Sequence, residues 1–176
     1  LAVFDPGQLE ASSPKLADYR IDAKLNAESK IISGTLELRW RNHTTHIVPD
    51  LRFHMYLNAF RNRNSTLMRA WGRRAALNRN EQGWIDFTHI TVRGLEHTAR
   101  AKYISPDDGN ADDQTVLQVD LIEPVKGSET VAVNIGFEAK LPLNRMRTGF
   151  YGDDFFLVAQ WFPKIGVYQA PGEHNV

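Results

Sequence analysis

Apolar and polar residues alternate with a period of two along most of the chain, which is the pattern of β-strands with one buried and one solvent-facing side. Turn signals rich in Gly, Pro, Asn and Asp separate these stretches, and no long amphipathic helix lies between them. The sequence therefore predicts an all-β fold, an antiparallel β-sandwich or saddle of about eight or more strands. The predicted strands are 18–25, 31–41, 51–57, 84–93, 100–104, 115–121, 130–139 and 154–162.

Three local features refine this prediction. The run 154–162 is almost continuously apolar, so we expect a strand buried on both faces. Pro124 and Gly127 are expected to end the strand that begins at residue 115. Residues 65–71 predict one short helical excursion, with Asn64 or Ser65 as the N-cap.

The domain organisation is predicted to be simple. Residues 1–17 hold Pro and Ser without a period and are expected to form an irregular arm, residues 18–168 the β-sandwich, and residues 169–176 a tail. The chain begins with Leu1, which we interpret as a trimmed or processed start. One domain is expected from a chain of 176 residues.

Charge and composition exclude several functions. Lys+Arg and Asp+Glu both number 21, so the chain lacks the basic excess typical of nucleic-acid binding. We therefore interpret the Arg-rich stretch 61–79 as a solvated loop neutralised by acids elsewhere, such as those at 107–113. No apolar run approaches the ~20 residues of a membrane-spanning helix. Zero cysteines exclude disulfides, thiolate nucleophiles and Cys-ligated metals.

None of the candidate binding sites in the sequence has a complete set of residues. His43 and His46 have a spacing that suits a metal only on a helix, and here they follow a predicted strand. The acidic turn 107–113 offers oxygen ligands but lacks the spacing of a calcium loop. Trp71, Trp84 and Trp161 would suit a sugar platform if they shared one exposed face, although the strand contexts of the last two favour burial.

The order of several segments is more specific than any of them alone. The chain resembles the N-terminal, saddle-shaped β-domain of the aminopeptidase N family of zinc peptidases (gluzincins), and within it a bacterial subgroup in which this domain ends in Trp-Phe-Pro. The resemblance covers residues 18–168. The segments that carry it are, in order, 19–26, 32–42, 51–57, 121–129, 131–139, Leu141-Pro142 and 156–163, the last reading Phe156-Leu-Val-Ala-Gln-Trp-Phe-Pro163.

The resemblance implies a non-catalytic role for this chain. Zinc, the His-Glu-x-x-His helix that binds it and the Gly-x-Met-Glu-Asn substrate motif are expected in a C-terminal catalytic domain that this sequence does not contain. No cofactor is therefore expected here, and the partners implied are that catalytic domain and, in the complete protein, a peptide substrate. Without the zinc ligands and a general base, no metal-bound hydroxide forms near neutral pH.

The resemblance also implies two substrate-binding positions. In the family a Gln, followed two residues later by Glu or Gln, helps to define the pocket for the substrate's N-terminal residue and amine. Aligned on its Gln, this sequence has Gln160 at the first position and Phe162 at the second. The alternative interpretation of Gln160 is a buried amide that satisfies neighbouring backbone groups. Phe162 cannot accept a hydrogen bond from an ammonium group, so it departs from the pattern.

A second class of function stays open at this point. A β-sandwich of this size is also typical of a stand-alone binding module for a carbohydrate or a protein ligand. The sequence does not define the compartment, since a cytoplasmic, an exported and a membrane-associated parent protein are all compatible with it.

Overall fold

The computed structural model describes residues 15–72, 77–144 and 147–169. The predicted arm, apart from its last three residues, lies outside this part of the chain, as do Arg73, Arg74, His174 and the tail beyond residue 169. The described strands are β1 (Ala17–Asn26), β2 (Ile31–Arg41), β3 (Val48–His54), β4 (Trp84–Val92), β5 (Leu95–Glu96), β6 (Ala101–Ile104), β7 (Val116–Val125), β8 (Thr130–Lys140), β9 (Gly149–Tyr151), β10 (Phe155–Leu157) and β11 (Lys164–Ile165).

The predicted all-β class is confirmed, because the strands form antiparallel sheets. One sheet has the order β1-β2-β8-β4-β5, a second has the order β11-β3-β7-β6, and β9 and β10 form a separate two-stranded ribbon. The predicted short helix is α1 (Thr66–Trp71), and Ser65 is its N-cap, since its hydroxyl accepts the backbone N–H of Met68. Within the described ranges, 3₁₀ turns at Tyr56–Phe60, Arg79–Glu81 and Thr98–Arg100 lie between strands. No helix among the described residues is long and apolar enough to cross a membrane.

The two larger sheets share one hydrophobic core. Period-two alternation puts Leu36 of β2 beside Ile135 of β8 on the buried face of the five-stranded sheet. In the four-stranded sheet, Phe53 of β3 lies beside Leu117 of β7, and both are buried. All four belong to a single cluster of buried side chains, so the apolar faces of the two sheets bury each other.

The ends of two predicted strands need correction. Strand β3 ends at His54, three residues before the predicted end, and the chain continues into a 3₁₀ turn that still buries Met55 and Leu57. Strand β7 continues through Pro124 to Val125. The neighbouring strand β6 pairs with β7 only as far as Val119. Pro124 therefore lies where one side of β7 has no neighbouring strand, and the N–H that proline lacks is not needed for a hydrogen bond on that side.

The largest error concerns the apolar run 154–162. It was expected to be one buried strand, but only Phe155–Leu157 is extended and paired, and Phe155 and Leu157 are exposed. The extended chain is interrupted at Gln160, whose φ of 55° lies in the left-handed region. The apolar character of this run therefore reflects an exposed surface and not a second core strand.

The segment after Gln160 closes one side of the sandwich. Trp161 packs against Phe137 of the five-stranded sheet, with 5.8 Å between ring centroids. The Tyr19 hydroxyl of β1 accepts the backbone N–H of Ile165 at 2.9 Å, while Ile165 pairs through β11 with Phe53 of the four-stranded sheet. This segment thus contacts both sheets and fixes the position of Gln160 relative to them.

We expect Tyr19→Phe to lower the free energy of unfolding by about 1 kcal/mol, because the ring contacts remain while the Ile165 N–H loses its acceptor. Urea unfolding measures the change. Tyr151→Phe, at an exposed tyrosine, is the matched control and is expected to leave the unfolding midpoint unchanged. Equal midpoints for the two variants would show that the hydroxyl does not hold the segment.

Candidate functional site

The two residues implied as substrate-binding take different environments. Gln160 is exposed at the turn where the chain leaves the ribbon. Phe162 is half-buried, and its ring meets Tyr19 and Trp161 edge-on, with 5.5 Å between centroids in each case. Gln160 is therefore free to meet a ligand from outside, whereas Phe162 contacts the rings that close the sandwich. The substrate-binding role of both residues stays a prediction.

A two-faced ribbon precedes Gln160 along the chain. In the β9–β10 pairing, Tyr151 is opposite Phe155, and Gly149 is opposite Leu157. Because directly opposed residues lie on the same side of a sheet, Tyr151, Phe155 and Leu157 share one face. Their relative exposures are 70%, 51% and 40%. We call this face, with the adjoining exposed Val158, the ribbon face.

The opposite side of the ribbon contacts a lysine side chain through two aromatic rings. Phe150 and Phe156 are opposed in the pairing, and the Lys30 ammonium lies 5.4 Å and 5.1 Å from their ring centroids. Asp153, in the turn of the ribbon, lies 3.5 Å from the same nitrogen. The Lys30 side chain is only 12% exposed, so both cation–π contacts form in a largely desolvated place.

Local backbone geometry forces the ribbon into this position. Gly149 has a φ of 137°, and a Cβ there would lie 2.4 Å from the Pro142 carbonyl oxygen, so a side chain cannot be accommodated. Phe150 donates its N–H to that same oxygen, at 2.9 Å. The buried Thr148 hydroxyl donates to the Leu157 carbonyl at 3.2 Å and accepts the Ala159 N–H at 3.3 Å. The ribbon is thereby anchored at its base.

The ribbon face is suited to association with a second surface. The ribbon face consists of large apolar side chains, and contiguous exposed surfaces of this kind mark protein–protein contacts. Across residues 15–72, 77–144 and 147–169, no group of three or more His, Asp or Glu side chains is placed to hold a metal ion.

The acidic turn has a structural use in place of the calcium site considered above. Asp108 accepts the Thr66 hydroxyl at 2.6 Å, and Asp113 accepts the Thr66 backbone N–H at 3.0 Å, so both carboxylates secure the start of α1. Asp112 lies 3.5 Å from Arg69. The expected neutralisation of the Arg-rich stretch by this turn is confirmed for Arg69.

Arg61, in the same stretch, has a different partner, since its guanidinium pairs with Asp86 at 2.5 Å.

The tryptophans do not form a common platform. Trp71 packs against Phe60, Trp84 lies beneath the Arg61 guanidinium, and Trp161 packs against Phe137. All three are half-buried, so the expected burial of Trp84 and Trp161 is only partial. Each ring is thus used in a separate packing contact, which does not favour the sugar platform.

The sequence did not reveal Lys30 or the ribbon. Lys30 lies in the β1–β2 turn and its aromatic partners lie near the other end of the chain, so no local pattern connects them. The φ of 62° at Lys30 is a conformation that only the folded structure shows. A run of aromatic residues interrupted by Gly152-Asp-Asp154 is the sequence feature that indicates a short hairpin in retrospect.

The described residues thus form an antiparallel β-sandwich that carries one apolar ribbon. No family model matches the chain, and no curated protein matches it. Among solved structures, it is similar to a crystal structure of an M1 zinc metallopeptidase mutant from Deinococcus radiodurans, with a TM-score of 0.45 and 10% sequence identity. The alignment covers 79% of this chain and 24% of that one. At this level the likeness carries no argument about activity.

We expect Lys30→Met to lower the free energy of unfolding by about 1–2 kcal/mol, because methionine keeps the length of the side chain and removes the charge held by the two rings. Urea unfolding, together with chymotrypsin cleavage at Tyr151 and Phe155, measures the effect on the fold and on the ribbon. Lys24→Met, at an exposed lysine of β1, is the control. If both variants unfold and are cleaved alike, Lys30 does not hold the ribbon.

Proposed function

We propose that this chain is the non-catalytic N-terminal domain of a zinc aminopeptidase-like metallopeptidase of the bacterial Trp-Phe-Pro subgroup. It packs against the catalytic domain of the same protein through the ribbon face. Gln160, directly after that face, lines one side of the substrate cleft.

The ribbon face is the observation that carries this proposal. Three large, mainly apolar side chains are exposed on one face of the ribbon, while its other face is secured to Lys30. A fixed apolar face of this kind gains hydrophobic free energy when a second surface covers it. Gln160 follows Val158 of this face by two residues and is also exposed, so a partner seated on the ribbon lies close to Gln160.

The ordered sequence resemblance over residues 18–168 supplies the identity of the partner. Within that resemblance, Gln160 and Phe162 belong to the segment that reaches the substrate cleft. The Gln160 amide oxygen accepts a hydrogen bond from the substrate's N-terminal ammonium group. Phe162 makes no such bond and instead keeps the segment seated against Tyr19. A zinc ion on the catalytic domain would supply the activated water.

A second candidate function rests on the same surface. Tyr151 and Phe155 form an exposed cross-strand pair, and paired aromatic side chains are common anchors in protein interfaces. This pair favours a stand-alone module that binds a separate protein ligand. The two functions differ in whether the partner belongs to the same polypeptide.

The test uses the complete polypeptide that the gene encodes. We expect it to bind one zinc ion and to hydrolyse an unblocked amino-acid nitroanilide, and we expect the chain of 176 residues alone to do neither. Gln160→Ala is expected to raise the KM about tenfold with little change in kcat, because a charge-assisted hydrogen bond to the substrate is lost in both ground and transition states. Gln82→Ala is the control.

The ribbon face is tested by the double substitution Phe155→Ser and Leu157→Ser in the complete protein. We expect the two domains to unfold separately in calorimetry and activity to fall, whereas Ile122→Ser, at an exposed apolar residue of β7, changes neither. Zinc-dependent turnover by the short chain alone would overturn the proposal. A complete polypeptide without the His-Glu-x-x-His motif would instead support the stand-alone module.

A further inference from the structure

A second groove lies away from the ribbon, between α1 and the turn that follows β6. Its volume is about 500 Å³, within the range of ligand pockets. Leu67 of α1 forms one wall, and Ile104 and Pro106 form the other. Leu67 and Ile104 are half-buried and present apolar surface to the opening. We call this cavity the α1 groove.

The floor of the α1 groove is aromatic. His54 and Tyr56 stack with 5.0 Å between ring centroids and 14° between their planes. Burial, together with the nearby Lys164 ammonium, lowers the pKa of His54 below its usual value, against an opposing effect of Asp107. At neutral pH the imidazole is therefore uncharged and does not repel a cation above the stack.

The rim of the α1 groove is acidic. Asp107, Asp108 and Asp113 line it, and no lysine or arginine is found among the described residues that line it. Hydrogen bonds from Thr66 and neighbouring backbone amides lower the pKa of Asp108, and hydrogen bonds from Thr115 and Thr66 lower the pKa of Asp113 against the opposing effect of burial. Both carboxylates are thus ionised at neutral pH.

The nearest basic side chains do not cancel this charge. Arg69 lies 3.5 Å from Asp112, a further carboxylate of the same turn, and also lowers the pKa of Asp108, while the Lys164 ammonium acts on His54. These two basic groups face the four carboxylates of Asp107, Asp108, Asp112 and Asp113, so the rim keeps an excess of negative charge. The groove therefore combines an apolar and aromatic interior with a negative rim. A ligand complementary to it has an apolar stem and a delocalised positive charge at its end.

We propose that the α1 groove binds an arginine side chain of a peptide or protein partner, with its methylene stem against Leu67 and Ile104 and its guanidinium between the face of Tyr56 and the rim carboxylates. Guanidinium is planar, stacks on aromatic rings and donates to carboxylates in pairs, which distinguishes it from the ammonium of lysine. This site is independent of the ribbon face and of the proposed peptidase role.

The test is a titration of the chain with the peptide acetyl-Leu-Arg-Leu-amide, followed by amide chemical shifts in NMR at low salt. We expect shifts at Leu67, Ile104 and Val116, and a weaker affinity as salt is added. Asp107→Asn is expected to weaken binding about threefold, since one exposed charge contact is lost. Glu37→Gln, on the solvent face of β2, is the matched control and is expected to change nothing.

The same peptide with citrulline in place of arginine keeps the shape and removes the charge. Equal binding of the citrulline peptide, shifts centred elsewhere, or no shifts at millimolar peptide would each overturn the site. Equal binding of the same peptide with lysine in place of arginine would overturn the assignment to guanidinium. Asp107→Asn behaving like Glu37→Gln would exclude the rim from recognition.

Discussion

The segment from Trp161 to Ile165 is the constraint on which the rest of the site depends. Strand β1 is an edge strand, and its inward side chains, among them Tyr19, are only half-buried by the neighbouring strand. The segment covers this side, donates the Ile165 backbone N–H to the Tyr19 hydroxyl, and pairs with β3 in the other sheet. The two sheets are thereby joined by side-chain packing and by a ladder, and the ribbon that precedes Gln160 is held at the same side of the sandwich.

This arrangement explains why an aromatic residue suits position 162. The ring lies edge-on to Tyr19 and Trp161, so replacing it by Glu would bring a carboxylate into contact with two half-buried rings. A carboxylate in that place loses hydration without gaining a partner charge. In this chain the side chain at position 162 thus serves the closure of the sandwich. Gln160, whose φ lies in the left-handed region, is exposed to solvent instead.

The long strands were predictable from sequence and the ribbon was not, for a physical reason. In β2 and β8 each strand has one wet and one dry face, so the period of two directly reports burial. In the run 154–162 both the face that contacts Lys30 and the face open to solvent are apolar. The residue composition of this run is therefore the same as that of a strand buried on both faces. Only the long-range contact with Lys30 separates the two cases. Gln160 was proposed as a substrate-binding residue from a resemblance in segment order, whereas the α1 groove needed the fold to bring its acidic turn beside the helix.

The ribbon also links folding to association. Two strands of three residues form a marginal unit in water, so its order depends on the grip of Phe150 and Phe156 on Lys30. A partner that covers Tyr151 and Phe155 excludes water from the same ribbon, and a lower local dielectric strengthens the attraction between the ammonium and the rings. By linkage the converse holds, since a ribbon already ordered by Lys30 costs less conformational entropy when the partner binds. Under the proposed function, one lysine in the β1–β2 turn thus determines how well ordered the apolar face is before the catalytic domain covers it.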